Sequence, residues 1–153
     1  MSSTTGLPRI VWDRATPRER DRFLNLLCKA LGDFPQIKVD QVTTDGAGTW
    51  LTCFTSNKYP KNSFAKIIVE ADGIQVGEAG QYADLEWRDT FIVDSTSTPS
   101  LAGGLYVMYS RSDPGYQIQT VNNGDRTFSV QVKDRGTAKM SWTLIVKVLE
   151  LSA

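Results

Sequence analysis

The feature that most limits the fold is a succession of short strand patterns that begins at Ile37 and continues to the end of the chain. The patterns recur about every ten residues, and Gly, Asn and Asp fill the connections between them. Such spacing is typical of antiparallel sheets, because a parallel sheet needs a long crossover between consecutive strands. The sequence therefore predicts a mainly β protein of about nine strands, built as an antiparallel β-sandwich or a jelly-roll-like barrel.

The last strand pattern, residues 139–151, becomes apolar on both of its faces. One face carries large apolar side chains at every second position: Met140, Trp142, Leu144, Val146 and Val148. The opposite face adds Ile145, Leu149 and Leu151. A strand of this kind must be central in its sheet or covered by a partner. We therefore predict that Ile145, Leu149 and Leu151 are covered, either by the helix described next or by a neighbouring subunit, which makes them candidate partner-binding residues.

One helix precedes the strands. Thr16, Pro17 and Glu19 predict its start, because together they form a capping box with proline at the first helical position. Its broad apolar face consists of Phe23, Leu24, Leu26, Leu27, Ala30 and Leu31. Gly32 fits the end of the helix. The pattern thus predicts a single amphipathic helix over residues 16–32.

The chain divides at this helix into an arm and a body. Residues 1–15 read as an N-terminal arm, in which Arg9, Ile10 and Trp12 are candidate contacts with a partner. Residues 16–153 are predicted to form one β-rich domain, with the helix first and strands from 37 to 151, because a chain of this length suits a single core.

Two connections in the body carry specific expectations. Asp72-Gly73 stands between two strand patterns, so it predicts the turn of a β-hairpin. Residues 94–104, "DSTSTPSLAGG", are rich in turn-forming residues. We expect them to be the longest weakly ordered stretch and to connect the two halves of the fold.

The absence of histidine limits the possible chemistry. Nucleophiles that need an imidazole base are excluded, as are metal sites with His ligands. A hydrolase that uses two carboxylates needs no histidine and is therefore still possible, with Glu78 and Glu86 as its candidate catalytic pair. A solvated acidic face, an acidic docking surface or a calcium site would explain the same carboxylates. We predict no enzymatic activity, no cofactor and no metal site, and keep the hydrolase as an alternative.

Charge and cysteine content limit the partners. Seventeen Lys and Arg residues balance seventeen Asp and Glu residues, so we predict neither nucleic-acid nor membrane binding. The first residues lack the pattern of a signal peptide, so we expect no such peptide and synthesis in the cytoplasm. Cys28 and Cys53 are expected to be buried, reduced thiols. Whether they lie near each other is left open.

Aromatic residues offer a possible glycan site. Tyr116 follows the turn "SDPG", and Gln117 and Gln119 follow it in a strand pattern. An exposed aromatic ring can stack on a sugar while amides bond its hydroxyl groups, so these three residues are candidate glycan contacts. The alternative is that the aromatic residues pack in the core or lie on the surface as ordinary amphipathic tyrosines.

The C-terminal third resembles a known class of protein. The residues that carry the resemblance are Thr127–Val132, Gly136–Lys139 and Ser141–Val146. This run of paired strands resembles the β-rich ends of bacteriophage virion proteins, among them tail receptor-binding and capsid-decoration modules. The resemblance implies a non-enzymatic β-sandwich that works through contacts between subunits.

These observations lead to one principal prediction and one main alternative. The principal prediction is a phage structural protein located in the virion and made in the host cytoplasm, most simply a capsid decoration or cement subunit. Its partners would be other virion proteins and further copies of itself, as a homo-oligomer or bound to the capsid. The alternative is a carbohydrate-binding tail or adhesin module that recognises a receptor.

Overall fold

A computed structural model of the chain describes residues 14, 16–22, 36–77 and 79–152. Helix α1 occupies residues 17–22. The Thr16 N–H donates to Glu19 Oε2 at 2.7 Å, and the Glu19 N–H donates to Thr16 Oγ1 at 3.3 Å. These two bonds confirm the predicted capping box. The rest of the predicted helix, including its apolar face, lies outside the described residues, as does the predicted arm apart from Arg14.

The chain forms two compact units, Met1–Pro35 and Gln36–Ala153. The second unit contains nine strands in the part of the chain that the structure describes. They are β1 (Gln36–Thr43), β2 (Trp50–Thr55), β3 (Ser63–Gln75), β4 (Tyr82–Val93), β5 (Pro99–Leu101), β6 (Leu105–Arg111), β7 (Gln117–Asn122), β8 (Phe128–Lys133) and β9 (Met140–Ser152). The grouping of the helix and strands into one domain stays a prediction.

The strands form two antiparallel sheets. The larger sheet has the order β1-β9-β3-β4-β5, and β6 pairs with the same edge of β4 as β5 does. The smaller sheet has the order β2-β8-β7. The predicted mainly β, antiparallel fold is therefore confirmed. Of the two predicted architectures the described strands form the sandwich, since they make two sheets and not one closed barrel.

The two longest strands form the centre of the larger sheet. β3 and β9 have 13 residues each and pair from Ser63 opposite Ser152 to Gln75 opposite Met140. Since β9 also pairs with β1, it is a central strand, as its apolar faces required. Ile145 and Leu149 are half-buried on its outer face. Their cover by a helix or a neighbouring subunit stays a prediction, and the Leu151 side chain lies outside the description.

The core lies between the two sheets and is rich in aromatic rings. Tyr59, Phe91 and Phe128 form a cluster whose ring centroids are 5.5 to 6.0 Å apart. Trp142 is fully buried on the inner face of β9. Burial of an aromatic side chain of this size contributes about 2–3 kcal/mol, so these four rings carry a large part of the apolar stabilisation.

The predicted hairpin turn at Asp72-Gly73 is wrong. β3 continues through both residues, and Gly73 lies opposite Trp142 in β9 and Ala83 in β4. A Cβ atom at Gly73 would lie 2.8 Å from Met140 Cε and 2.9 Å from Trp142 Cε3. Glycine is therefore required because the indole ring packs directly on the backbone, and not because the chain turns.

Residues 94–104 also differ from expectation. They contain β5, in which Pro99 and Leu101 lie opposite Val93 and Phe91 of β4. β4, β5 and β6 belong to one sheet, so this stretch does not connect the two halves of the sandwich. Proline is tolerated here because β5 is a short edge strand. A Cβ atom at Gly104 would lie 1.8 Å from Trp87 Cζ2, which shows how closely this stretch packs on the sheet.

A buried carboxylate joins two of the connections between the sheets. Asp134 accepts hydrogen bonds from the Gly46, Gly48 and Gly136 N–H groups at 2.8, 2.8 and 2.7 Å. Burial alone would raise the pKa of Asp134. Hydrogen bonds from the Thr44 side chain and from the three glycine N–H groups more than offset burial and hold that pKa below its ordinary value. The loops 44–49 and 134–139 are thereby fixed to each other.

In the described part of the chain, the α-helical residues are those of the short helix α1, residues 17–22. No helix there is long and apolar enough to cross a membrane.

Candidate interaction surfaces

The outer face of the larger sheet carries two rows of paired carboxylates. Glu70 lies directly opposite Glu86, and Asp72 lies directly opposite Asp84 across β3 and β4. Glu86 bonds Arg88 at 2.8 Å, and Glu70 bonds the Lys147 ammonium at 3.0 Å. Like charges placed directly opposite each other destabilise a sheet. For Glu70 and Glu86, the nearby cations on the same face offset this repulsion.

In the second row, the repulsion between the Asp72 and Asp84 carboxylates is offset less. Burial, the negative charges of Asp84 and Glu70, and a hydrogen bond with Asp84 raise the pKa of Asp72 above its ordinary value. Asp72 therefore takes up a proton at a higher pH than an isolated aspartate does. This pairing could not be predicted from the sequence, because it depends on the register of β3 with β4.

The predicted hydrolase pair is not brought together within the described residues. Glu78 lies outside them, and Glu86 is held by the Arg88 guanidinium on the solvent side of β4. In the described ranges no group of three or more His, Cys, Asp or Glu side chains is arranged to hold a metal ion. The hydrolase hypothesis stays a prediction.

A second surface is the outer edge of β6, which pairs with β4 alone among the described strands. Its large apolar side chains are exposed: Leu105 by 56%, Val107 by 46%, Met108 by 51% and Tyr109 by 63%. Val107 is the extra residue of a β-bulge, since Met108 lies opposite Glu86 and Tyr106 opposite Trp87. The missing alternation in "LYVMYS" is the sequence signal for this surface.

Side chains from the larger sheet close the neighbouring edge of β7. The Tyr106 hydroxyl accepts from the Ile118 N–H at 2.9 Å and lies 3.2 Å from the Ile118 carbonyl oxygen, to which it donates. Arg111 Nη1 donates to the Tyr116 carbonyl oxygen at 2.7 Å. We call these bonds of Tyr106 and Arg111 the edge seam. They occupy the Ile118 N–H and carbonyl groups and the Tyr116 carbonyl, which are among the backbone groups that a further strand would need to pair with β7.

The edge seam continues into β4. Trp87 Nε1 donates to Thr120 Oγ1 at 3.3 Å, and the Thr120 hydroxyl donates to the buried Asp89 carboxylate. β7 is thus attached to the larger sheet at several points along its length, although no backbone ladder joins the two.

The structure places the predicted glycan residues on opposite sides of the smaller sheet. Tyr116 is fully buried, and its hydroxyl donates to Gln75 Oε1 at 3.1 Å. Its predicted position as an exposed ring is therefore wrong, because the alternation of β7 turns Tyr116 and Ile118 inward. Gln117 and Gln119 point outward. A glycan contact by these two residues stays a prediction.

An aromatic residue that the sequence analysis missed lies on the same face as the glutamines. In β8, Lys133 lies opposite both Trp50 and Gln117. The Trp50 ring is 36% exposed, with the Lys133 ammonium 5.6 Å from its centroid. Outward alternation of Trp50 in "TWLTCFT" is the signal that would have found it.

Next to Trp50 runs a ladder of polar side chains across all three strands. Gln119 Nε2 donates to Gln131 Oε1 at 2.8 Å, and Gln131 Nε2 donates to Thr52 Oγ1 at 3.0 Å. These bonds fix the orientations of the amide groups on this face. Such a face can offer further donors and acceptors to a polar ligand.

The other candidate residues are the predicted partner contacts of the arm and of the last strand. Arg9, Ile10 and Trp12 lie outside the described residues. A shallow groove of about 410 Å³ opens on the outer face of the larger sheet, between Phe64 and Ile92. Since Phe64 lies opposite Leu151, the groove adjoins the row of the predicted contact at Leu151.

Of the two cysteines that were predicted to be buried thiols, one lies within the described residues. Cys28 lies outside the described residues. Cys53 is half-buried and is not in a disulfide, and burial raises the pKa of its thiol to about 11. It is therefore protonated and weakly nucleophilic at neutral pH.

No family model and no curated protein matches the chain. Two solved structures are similar in part. The tailspike protein of Acinetobacter baumannii phage AM24 is 8% identical, with a TM-score of 0.42 over 79% of this chain and 26% of the tailspike. The tailspike protein of Acinetobacter phage vB_ApiP_P1 is 14% identical, with a TM-score of 0.38 over 78% of this chain and 22% of the tailspike. The chain spans about a quarter of the length of these tailspikes.

Proposed function

We propose that the chain is a non-enzymatic structural protein of a phage virion that works through contacts between subunits, as a capsid decoration or cement subunit. The observation that carries the proposal is the outer edge of β6, with four large exposed apolar side chains. The resemblance of the C-terminal strands to phage virion proteins supports the same conclusion.

An edge of this kind favours a protein that functions in an assembly. Soluble β proteins commonly block edge strands with lysine, proline, or inward-pointing charges, because an open edge pairs with other chains. Residues 105–110, "LYVMYS", contain none of these blocking residues. Two other devices are present on β6: the bulge at Val107 and, at the end of the strand, Arg111, whose guanidinium turns inward to the Tyr116 carbonyl oxygen. A partner that covers the edge removes both the apolar exposure and the unpaired backbone groups.

Mass spectrometry of purified virions tests this proposal. The expected result is the protein in intact particles, in a fixed ratio to the major capsid protein. Separated heads and tails are then compared, and a decoration subunit is expected with the heads. Absence from washed virions overturns the structural function, and enrichment in the tail fraction overturns the decoration role in favour of a tail module.

Glycan binding is a second candidate function, and a separate observation favours it. Gln117 and Gln119 share the outer face of the smaller sheet with the half-exposed ring of Trp50 and with the ladder of Gln131 and Thr52. An aromatic platform beside oriented amides is suited to a sugar ring and its hydroxyl groups.

A glycan array with the full chain tests the second function. We expect bound glycans to lose about tenfold in affinity with Trp50→Ala, which corresponds to about 1.4 kcal/mol. Tyr82→Ala is the matched control, because Tyr82 is an exposed aromatic residue on the other sheet. An array without hits, or equal losses for both variants, contradicts the proposed site.

A further inference from the structure

We propose that the outer face of the smaller sheet binds acidic saccharides, and that Lys133 binds their carboxylate group. The proposal rests on the second candidate function, glycan binding, because it names the class of glycan and the residue that selects it. Trp50 and the ladder of Gln119, Gln131 and Thr52 would contact the neutral part of the same ligand.

The charge of the smaller sheet is the first observation. Its three strands, β2, β7 and β8, contain no Asp, Glu or Arg, and Lys133 is their only charged residue. Asp134 follows Lys133 in the chain, but it is fully buried and accepts from three glycine N–H groups. The strands of this sheet therefore carry one positive charge and no negative charge. A ligand that is complementary to them carries negative charge.

The position of the Lys133 ammonium is the second observation. It lies 5.6 Å from the centroid of the half-exposed Trp50 ring. Lys133 takes part in none of the ion pairs found between described residues. A cation–π contact restrains the lysine side chain without using its N–H donors, and a restrained side chain loses less entropy when a ligand binds. The ammonium is thus held at the surface with its donors ready for an anionic group.

The direction of the hydrogen bonds in the ladder is the third observation. Gln119 donates to Gln131, and Gln131 donates to the Thr52 hydroxyl. In these bonds Thr52 only accepts, so its own O–H remains to donate to a ligand. Thr52 and Lys133 are diagonal neighbours across β2 and β8, because Trp50 lies opposite Lys133 and Thr52 opposite Gln131. Donors therefore gather beside Trp50, where an acidic group would lie, while Gln119 Oε1 remains as an acceptor at β7.

A single positive charge among neutral donors and acceptors suits a sugar acid, which carries one carboxylate among several hydroxyl groups. The Trp50 ring can contact the apolar face of the same sugar. A nucleic acid instead carries a phosphate on every nucleotide and is bound through several Lys and Arg side chains. The smaller sheet therefore favours an acidic saccharide over a polyphosphate chain.

A glycan array printed in two forms tests the proposal with the full chain. One form carries neutral glycans and glycans with free carboxylates, including uronic and sialic acids. In the other form each carboxylate is converted to its methyl ester. We expect the bound glycans to be acidic and the methyl esters to bind at least about tenfold more weakly, because esterification removes the negative charge and keeps the sugar ring.

Variants that change one charge assign the effect to Lys133. We expect Lys133→Gln to raise the dissociation constant for the acidic glycans about tenfold, and Lys133→Arg to retain most of the affinity. Lys66→Gln is the matched control, since it removes the same charge from an exposed position in β3 of the larger sheet. It is expected to leave binding unchanged, and thermal unfolding verifies that the three variants fold.

Four results would overturn the acidic class: no bound glycan, equal binding of free acids and methyl esters, equal losses for Lys133→Gln and Lys66→Gln, or equally tight binding of a single-stranded DNA oligonucleotide. Neutral glycans that bind and lose affinity with Trp50→Ala would overturn the acidic class but support glycan binding by this face. Failure of this proposal and failure of the glycan-binding function are therefore distinguishable, and neither bears on whether the protein is found in virions.

Discussion

Asp134 shows at the scale of one residue how a carboxylate can organise loops. Its oxygens accept from three glycine N–H groups in two connections that are far apart in sequence. Hydrogen bonds to a charged group contribute about 1.5–3 kcal/mol each, and burial makes their loss more costly. The low folded pKa follows from the same bonds, so stability and acidity at this position have one cause.

We expect Asp134→Asn to lower the free energy of unfolding by about 3 kcal/mol at neutral pH, because the amide presents an NH₂ group to backbone donors. The folded pKa of Asp134 is lowered below its ordinary value of 3.8. Its contribution is therefore complete above the unfolded pKa and is lost as pH falls through the folded pKa. Urea unfolding at about pH 7 and about pH 3 should show a smaller acid-dependent loss in the variant than in the parent.

The control for Asp134 is Asp125→Asn. Asp125 is an exposed carboxylate that bonds Thr127 within its own loop. We expect it to change stability much less. An equal loss for both variants would contradict the joining role assigned to Asp134.

Gly73 gives a second prediction at this scale. We expect Gly73→Ala to lower the free energy of unfolding by about 1–3 kcal/mol, since the new methyl group would overlap the Trp142 ring. Combining it with Trp142→Phe should restore part of the loss relative to the sum of the two single changes, measured by a double-mutant cycle. Strict additivity would show that the ring is not the obstacle.

The same glycine shows why local sequence misleads. Asp-Gly is a strong turn signal because glycine accepts positive φ, yet here its missing side chain matters instead. The ring that requires it belongs to Trp142, far along the chain, so no short window contains the reason. The capping box at Thr16 and Glu19 was predictable because all of its atoms lie within one turn.

At the scale of the element, the edge seam replaces a backbone ladder. The Tyr106 hydroxyl satisfies both backbone groups of Ile118, much as a neighbouring strand would. We expect Tyr106→Phe to lower the free energy of unfolding by about 1–3 kcal/mol, because it leaves two backbone groups without that partner. Hydrogen exchange of the Ile118 amide should accelerate in the variant.

Tyr109→Phe is the matched control for the edge seam. Tyr109 is exposed and belongs to the same strand. Its variant should leave exchange in β7 unchanged. Similar acceleration in both would indicate general loosening of β6 in place of a specific bond.

Strand faces were more predictable than strand neighbours. Leu85, Phe91 and Val93 are buried on the inner face of β4 and follow the alternation of apolar and polar residues in the sequence, because period two is a local property. Tyr116 continues the inward alternation of Ile118, so its burial depends on which face of β7 the larger sheet covers, and periodicity alone does not contain that information. The carboxylate rows depend on register, which periodicity does not contain.

At the scale of the whole molecule, the described core comes from one unit. Every large buried side chain, from Tyr59 to Val148, lies within Gln36–Ala153. We expect a chain shortened to residues 36–153 to keep its β circular dichroism and to unfold cooperatively in urea. Loss of cooperative unfolding would instead support the single-domain prediction for residues 16–153.

The candidate surfaces were predictable only in part. Gln117 and Gln119 face outward, and their contact with a glycan stays a prediction, while Trp50 and the exposed side of β6 were not predicted. Both have a local signal in the sequence, but the residues beside them, Lys133 and Gln117 for Trp50 and β4 for β6, depend on strand pairing that periodicity does not contain. Charge counts could identify an acidic stretch but not its pairs.

The position of β9 between β1 and β3 has a consequence for biosynthesis. Val39 pairs with Leu144, and Val69 pairs with Val146, so the inner strand of the larger sheet is the last one that the ribosome releases. Until then β1 has no neighbour and β3 lacks one of its two. Long-range pairing of this kind slows folding and leaves apolar strands open to misassociation. The larger sheet is therefore completed only after β9 has been synthesised, and until then chaperones would protect the open edges of β1 and β3.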